Sequence, residues 1–376
     1  MDLDRSEEQL MLGWMVRDKC AAHASLESVR ALEDDPVGYS ADFWEQLGEL
    51  DLLGLMIPPE YGGSGMGLLE GAVVYEEFGR ALAPSPHFVS AVMSAGVLLR
   101  AGSDAQKKSW LPRIASGTAI LSTAWLEPGN GFGFEGVQTT ARADGVDFVL
   151  DGTKWHVPFA SSADELVVLA CTEDGAVDLF LVDPTSPGVR LTQQMTIASD
   201  TQYAVELSGV RVHGANRIGA AGTGWDTWNA TMLRGVVLLA AQAIGGARHA
   251  FDITLQYAKD RHQFDKPLGA FQAISHYLAD ASTTVEGGTI LVYEAAWADA
   301  NGRPIARLAP MAKLFACRTF RDVTAMGQQV FGGIGFTVDA DIQLYFRRAK
   351  QLQLSWWDDR YLEELIATDR LDHARV

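Results

Sequence analysis

The chain has 376 residues, 48% of them hydrophobic, enough for a sizeable core spread over two or three layers or domains. Its net charge of −18 and pI near 4.8 exclude a generic binder of nucleic acid or anionic membrane. The three cysteines, Cys20, Cys171 and Cys317, are far apart and outside any CxxC spacing, which excludes a disulfide framework or zinc site and points to a reducing cytoplasm.

The N-terminal segment MDLDRSEEQLMLGWM is acidic and lacks a basic n-region with an apolar stretch, so no signal peptide is expected. No run is expected to reach the length needed to cross a bilayer. Residues 1–118 read as helical. Ser6-Glu7-Glu8-Gln9 before a Leu/Met-rich run marks a helix start, and helical spacing recurs over 42–52, 68–82, 90–101 and 105–116. Pro58 to Gly65 is a loop, and Pro84-Ser85-Pro86 breaks the pattern.

Residues 119–223 switch to short β-rich runs at 119–125, 137–143, 148–151, 155–157, 165–171 and 179–182, separated by Gly, Asp and Pro. That spacing predicts a small antiparallel barrel or sandwich, continued at 189–191, 204–207 and 210–212. Residues 224–376 return to the helical period. The run from Thr227 to Tyr257 is long, and its small residues (AAQAIGGARHA) suit close packing in a bundle. Helices then sheet then helices is an α+β chain, mostly α, and not an alternating βαβ one.

Three stretches carry candidate chemistry. Gly131-Phe-Gly133-Phe-Glu-Gly136 matches GxGxxG, but a strand-like run follows it where a dinucleotide site needs a helix, so it reads as a glycine-rich loop. Arg261 sits at a helix-helix connector, where its fork of donors suits a phosphate; the plain alternative is a surface ion pair with Asp260 or Asp265. The stretch Gln328 to Asp359 holds a Gly332-Gly333-Ile-Gly335 turn that admits close approach of a ligand, then a helix ending in Trp356-Trp357-Asp358-Asp359. His156 lies on a β-rich segment and reads as a satisfied sheet residue.

Together these segments resemble the acyl-CoA dehydrogenase family over essentially the whole chain. The matching motifs are Ser6-Glu-Glu-Gln, Pro59-Glu60-Tyr61-Gly62-Gly63, Glu127-Pro128-Gly129, Arg261-x-Gln-Phe264, Gln272, and Gln329-x-Phe-Gly-Gly333-x-Gly-Phe. The resemblance implies an N-terminal helical domain, a middle β-barrel or sandwich and a C-terminal four-helix bundle, with FAD as cofactor. It implies that Thr123, Ala124, Trp125 and Leu126 lie along the flavin ring. Arg261, Phe264, Gln272 and Gln329 to Gly333 would hold the FAD pyrophosphate and adenosine half, reached across a subunit interface. It further implies an acyl-CoA substrate, an electron-transfer acceptor protein and an oligomer, typically a dimer of dimers. The chemistry is removal of a proton next to a thioester carbonyl and hydride transfer from the next carbon to the flavin.

The sequence departs from the family where the base is expected. Trp356 falls at the usual glutamate, and Trp357 and Asp358 fall at the Gly and Thr that follow it. A second family position for the base falls near Gly235, a flavin-facing threonine falls at Pro158, and its neighbouring tryptophan falls at His156. Three readings follow: Asp358 or Asp359 is a relocated base; the chain is the subunit without a base in a mixed tetramer; or FAD serves a different reaction in a homo-oligomer. A structural subunit without flavin is the non-enzyme alternative. The missing glutamate, together with Asp151-Gly152-Thr153-Lys154-x-x-Val157-Pro158, resembles a bacterial subgroup whose members pair with a second dehydrogenase chain to degrade sterol side chains, dicarboxylates or other unusual acyl groups. That favours the mixed tetramer.

Overall fold

The computed structural model describes residues 4–372; residues 1–3 and 373–376, at the outer ends of the first and third expected domains, lie outside the described residues. Six helices come first: α1 Glu7–His23, α2 Leu26–Ala31, α3 Ala41–Glu49, α4 Leu68–Ala81, α5 Ala95–Ala101 and α6 Asp104–Ala115. Eight strands follow: β1 Leu121–Ala124, β2 Thr140–Asp144, β3 Asp147–Pro158, β4 Glu165–Thr172, β5 Val177–Val182, β6 Val189–Gln194, β7 Gln202–Val212 and β8 Arg217–Ile218. The rest is α7 Gly224–Asp260, a hairpin of β9 His262–Gln263 and β10 Lys266–Pro267, α8 Gln272–Ala300, α9 Leu308–Phe331, α10 Asp341–Leu354 and α11 Asp359–Asp372. The fold class is the expected one.

Local chemistry sets several boundaries. Ser6 and Gln9 form a reciprocal capping box at α1, and Ser103 and Gln106 form another at α6, each satisfying two orphan donors. Phe88–Ser94 is a π-helix leading into α5, where one continuous α-helix was expected. The extra residue per turn matters because such π segments cluster at functional sites.

The chain divides into two compact units. One holds residues up to Arg30, Gly67–Ala83 and the chain from Val236 onward. Its centre is the crossing of α4 and α7 with no side chain between them. A Cβ at Gly79 would lie 1.9 Å from the Gln242 carbonyl oxygen, and one at Gly245 would lie 1.8 Å from that of Glu76. The buried Glu76 and Glu77 beside this crossing are held by cations, Glu76 by Arg5 and Arg248, Glu77 by Arg17 at 2.7 Å. The small residues of α7 therefore serve the close helix approach that the sequence suggests.

Helix α7 also corrects an expectation. Among the described residues it alone is long and apolar enough to cross a bilayer, with a window of mean hydropathy 1.4. However, 78% of that window is buried inside the fold, so core packing accounts for its apolarity.

The other unit holds Ala31–Met66 and Pro84–Gly235. Its sheet runs β6-β7-β3-β2-β4-β5-β8, with β1 added on β4. Most pairs are antiparallel, but β1 and β2 both run parallel to β4, which the short-strand pattern did not foretell. The runs 148–151 and 155–157 are one twelve-residue strand, β3, and 204–207 and 210–212 are one strand, β7. Gly152, which falls between the first two of those runs, is a bulge within the one strand. Its φ is +156°, and the Thr139 Cα lies 2.8 Å from where its Cβ would be. A second register shift falls between Lys154 and Val157, with His156 at φ +54°. The core of this unit includes Leu150, Val157, Leu166, Val168, Phe180 and Val205.

His87, ahead of the π-helix, is 3% exposed, and its Nε2 lies 3.0 Å from the Leu52 carbonyl. Burial pushes its pKa down to about 4. The folded state therefore refuses a proton that the unfolded state binds below about pH 6.5, so stability falls as pH drops from 7 towards 4. The expected loss from this group is about 2 kcal/mol at pH 5. Thermal melts at pH 7 and pH 5 should show a smaller acid loss in His87→Gln than in the wild type.

Candidate functional site

In the sheet-bearing unit the site region is the end of β1 and the loop after it. Thr123 and Ala124 are buried, and Trp125 is almost so. The path of the chain here is fixed by a buried ion pair, Lys154 Nζ to Glu127 Oε1 at 2.6 Å. Lys154 also reaches the Trp125 carbonyl at 3.4 Å, while Glu127 accepts the backbone N–H groups of Gln138 and Thr139 at 3.0 and 2.8 Å. Burial pushes the Lys154 pKa down to about 8 against the pull of Glu127. One pair thus ties β1, β3 and the glycine-rich loop together. In that loop Phe134–Gly136 is a 3-10 turn, and the dinucleotide reading fails as expected, since β2 follows it.

Among the described residues, the buried side-chain atoms of this unit without a hydrogen-bond partner include Thr123 Oγ1, Thr139 Oγ1 and Trp228 Nε1. Trp228 and Phe132 pack on Trp125, with ring centroids 5.3 and 5.8 Å away. The second family position for a base, Gly235, has no room for one. A Cβ there would lie 2.8 Å from Met93 Sδ and 3.2 Å from the Phe88 ring.

In the helical unit, Tyr257 at the end of α7 stacks on Phe331 at the end of α9, with centroids 4.2 Å apart and planes 16° apart. That stack brings Arg261 and the Gly332–Phe336 turn to one end of the bundle. Arg261, Gln272, Gln329, Gly332 and Gly333 are all exposed there, as is Phe264 at the tip of the β9–β10 hairpin. Arg261 has no side-chain partner among the described residues, so the ion pair with Asp260 or Asp265 is not formed; Asp260 instead accepts from Gln256 at 2.9 Å. Gly332 has φ +67°, and a Cβ at Gly332 or Gly333 would meet nothing within 4 Å. In the helical unit, an unpaired guanidinium and an open glycine turn at one end of the bundle fit a diphosphate; in the sheet-bearing unit, the unpartnered Thr123 hydroxyl of β1 fits a polar ring; each set by itself fits a part of FAD.

The turn after α10 holds Trp356, the residue that counting along the sequence sets at the usual glutamate. Trp356 and Trp357 both have left-handed backbones, φ +55° and +74°, which cost roughly 1–2 kcal/mol each for non-glycine residues. Lys313 on α9 over-determines that strained turn. Its Nζ donates to the carbonyls of Leu352, Ser355 and Trp357 at 3.1, 2.9 and 2.9 Å, and the side chain is fully buried. Burial pushes its pKa down. Trp357 is 1% exposed and packs on Tyr361 at 5.6 Å. Both carboxylates beyond it are engaged. Asp358 Oδ1 caps α11 by accepting the Tyr361 N–H at 2.9 Å, and Asp359 Oδ2 binds Arg318 and Gln353, each at 2.9 Å. The other Asp359 oxygen is buried without a partner.

Sequence reasoning missed Lys313 and the Lys154–Glu127 pair. Lys154 lay inside a noted motif, but nothing near Lys313 in sequence announces acceptors about forty residues further on.

Family models match all three parts of the chain. They are the acyl-CoA dehydrogenase N-terminal domain over residues 6–118, the middle domain over 122–210 and the C-terminal domain over 222–355. The chain is 31% identical to the mitochondrial short-chain specific acyl-CoA dehydrogenase of Bos taurus, over 89% of this chain and 84% of that one. It is also 31% identical to the acyl-CoA dehydrogenase FadE27 of Mycobacterium tuberculosis, over 94% of this chain and 95% of that one. Among solved structures it is similar to a chain of the ChsE4–ChsE5 complex from M. tuberculosis, with TM-score 0.90, 29% identity and complete coverage of both chains.

Lys313→Met removes the ammonium from the carbonyls of Ser355 and Trp357 and leaves that of Leu352 only the weak Cys317 thiol, and should cost about 3 kcal/mol. Trp356→Gly relieves left-handed strain and should stabilise by about 1 kcal/mol. Thermal and urea melts of the two single variants check both signs.

Proposed function

We propose that this chain, which belongs to the acyl-CoA dehydrogenase family, is an FAD-holding subunit without a base of its own, assembled in a mixed oligomer with a homologous chain that carries one. The observation that carries this reading is the Trp356–Trp357 turn clamped by Lys313, which fills the family's base position with indoles and leaves Asp358 capping a helix. A base must reach a thioester α-proton with its carboxylate free. The crowding at Gly235 closes the other family position in the same sense.

Within this reading, FAD when bound supplies the hydride acceptor. In the sheet-bearing unit Thr123, Trp125 and Leu126 would line a flavin ring. In the helical unit Arg261 would pair with a diphosphate reached across a subunit interface, with Gln272 and Gln329 around it and Phe264 and the open edge at Gly333 allowing its approach. The substrate is an acyl-CoA, and an electron-transfer protein takes the electrons onward. Domain boundaries at 1–118, 119–223 and 224–376 belong to the same reading; the three family models matching in that order support them.

A partner is supported by the surface of the helical unit. An open apolar groove of about 620 Å³, lined in part by Phe251, Leu255, Ala258, Pro267, Leu278 and Ala279, lies beside the exposed Phe264 hairpin. Obligate interfaces of this kind bury on the order of 2,000–5,000 Å². The similarity to a chain of the two-component ChsE4–ChsE5 complex points the same way. One observation favours a homo-oligomer with an aspartate base instead, the unpaired buried oxygen of Asp359.

The mass and flavin content of the chain expressed alone, and then with a homologous dehydrogenase from a neighbouring gene, test the proposal. A mixed tetramer that holds FAD, with the single chain unstable or aggregated, is the expected result. A stable homo-oligomer with one FAD per chain, unchanged by the partner, overturns it. In the mixed assembly Arg261→Ala should weaken FAD retention by about 1.5–3 kcal/mol, the range for a charged hydrogen bond, read by equilibrium dialysis.

A further inference from the structure

The helical unit holds a second concavity, which shares no lining residue with the groove beside the Phe264 hairpin. It is a cleft of about 420 Å³ where α1 and the end of α4 meet α7 and α10. Ala21, Ala24, Leu26 and Ala81 make an apolar part of its lining. The polar part includes Arg17, Glu77, Arg80, His249 and Tyr345.

Most of these polar groups are committed. Both Glu77 oxygens accept from the Arg17 fork, at 2.7 and 2.9 Å, and the Tyr345 hydroxyl donates to the Arg80 carbonyl at 2.6 Å. Arg80 Nη1 lies 3.2 Å from Asp252 Oδ2 and 3.3 Å from His249 Nδ1. A guanidinium only donates, so His249 Nδ1 must accept, and the proton of the neutral ring sits on Nε2. Burial, and then the Arg80 charge, lowers the His249 pKa and keeps the ring neutral near pH 7. The ring packs on Tyr345, with centroids 5.3 Å apart. Two N–H groups are left over among the described residues. His249 Nε2 has no partner, and Arg80 Nε is buried without one, with Glu77 Oε2 beyond hydrogen-bond reach at 3.6 Å.

Pairing among Arg17, Glu77 and Arg80 accounts for the buried carboxylate. It does not account for a buried guanidinium N–H without an acceptor beside a cleft, since buried polar groups are almost always paired. Both uncommitted groups are donors, so a complementary ligand brings acceptors. Two guanidiniums and one carboxylate line the cleft, a surplus of one positive charge; Asp252 meets Arg80 from a half-exposed position. The volume falls within the roughly 300–1,000 Å³ of small-molecule sites, which join apolar walls to a few placed polar groups. We propose that this cleft binds a small organic carboxylate. Its hydrocarbon part lies against Ala21, Ala24, Leu26 and Ala81, and its oxygens accept from Arg80 Nε and His249 Nε2. The site belongs to the helical unit alone and needs neither bound flavin nor a catalytic base.

The probes are hexanoate, hexanamide and hexylammonium, titrated calorimetrically into the purified assembly. Hexanoate should bind saturably and about tenfold more tightly than hexanamide, the difference between a charged and a neutral hydrogen bond. Hexylammonium should not bind. His249→Phe keeps a ring against Tyr345 but removes the N–H, and should weaken hexanoate about fivefold, the worth of one neutral hydrogen bond. Ala21→Trp, at an exposed position of α1, fills the cleft and should abolish hexanoate binding with the melting temperature unchanged. His276→Phe, exposed on α8 and outside the cleft, should bind hexanoate as the wild type does. None of these readouts depends on flavin content. Absence of saturable hexanoate binding, hexanoate binding unchanged in both His249→Phe and Ala21→Trp, or a preference for hexylammonium overturns the inference.

Discussion

A single buried ammonium governs the turn on which the proposed function rests. Lys313 spends its three N–H donors on the carbonyls of Leu352, Ser355 and Trp357, the end of one helix and the turn that follows. Desolvating a lysine is expensive, and only full use of its donors makes the burial tolerable. The same bonds hold two tryptophans in left-handed conformations that favour glycine. The turn is thereby fixed with its two indoles in place, and the next residue, Asp358, is drawn into capping α11.

The sheet uses the same device with opposite charges. Lys154 and Glu127 are buried together, and Glu127 also satisfies two backbone N–H groups of the segment between the glycine-rich loop and β2. Breaking such a pair leaves an uncompensated charge, so it fixes one path for the chain after β1. The bulges in β3 then determine what stands beside that path. Gly152 is required by the close approach of Thr139, and His156 lies in the next register shift. In both units a buried cation makes the local backbone unambiguous, and an irregular backbone beside it presents the residues of interest.

Much of the architecture was legible in the sequence because it rests on local chemistry. The Ser6-Glu-Glu-Gln cap, the helical period of residues 68–82, and the small residues of α7 each named their element. Strand continuity was harder to read. Asp151-Gly152 has the composition of a turn, yet it stays in the strand as a bulge against Thr139, just ahead of β2. The apolar length of α7 was underestimated because membrane spans and core helices share composition, and burial alone separates them. The candidate site was half legible. Arg261 and the Gly332–Gly333 turn carry their own signals of charge and backbone freedom, and the absence of a glutamate at Trp356 can be counted. Lys313 and Lys154 act on partners distant in sequence, so no spacing rule announces them.

The central claim is that this chain binds flavin but removes no α-proton. The most direct measurement is exchange of the α-hydrogens of a saturated acyl-CoA with deuterated solvent, followed by mass spectrometry. It is run on the mixed assembly whose partner base has been replaced by glutamine, with FAD bound. Exchange should fall to the background of the thioester alone. Exchange that persists in that assembly and disappears with Asp358→Asn or Asp359→Asn would contradict the account.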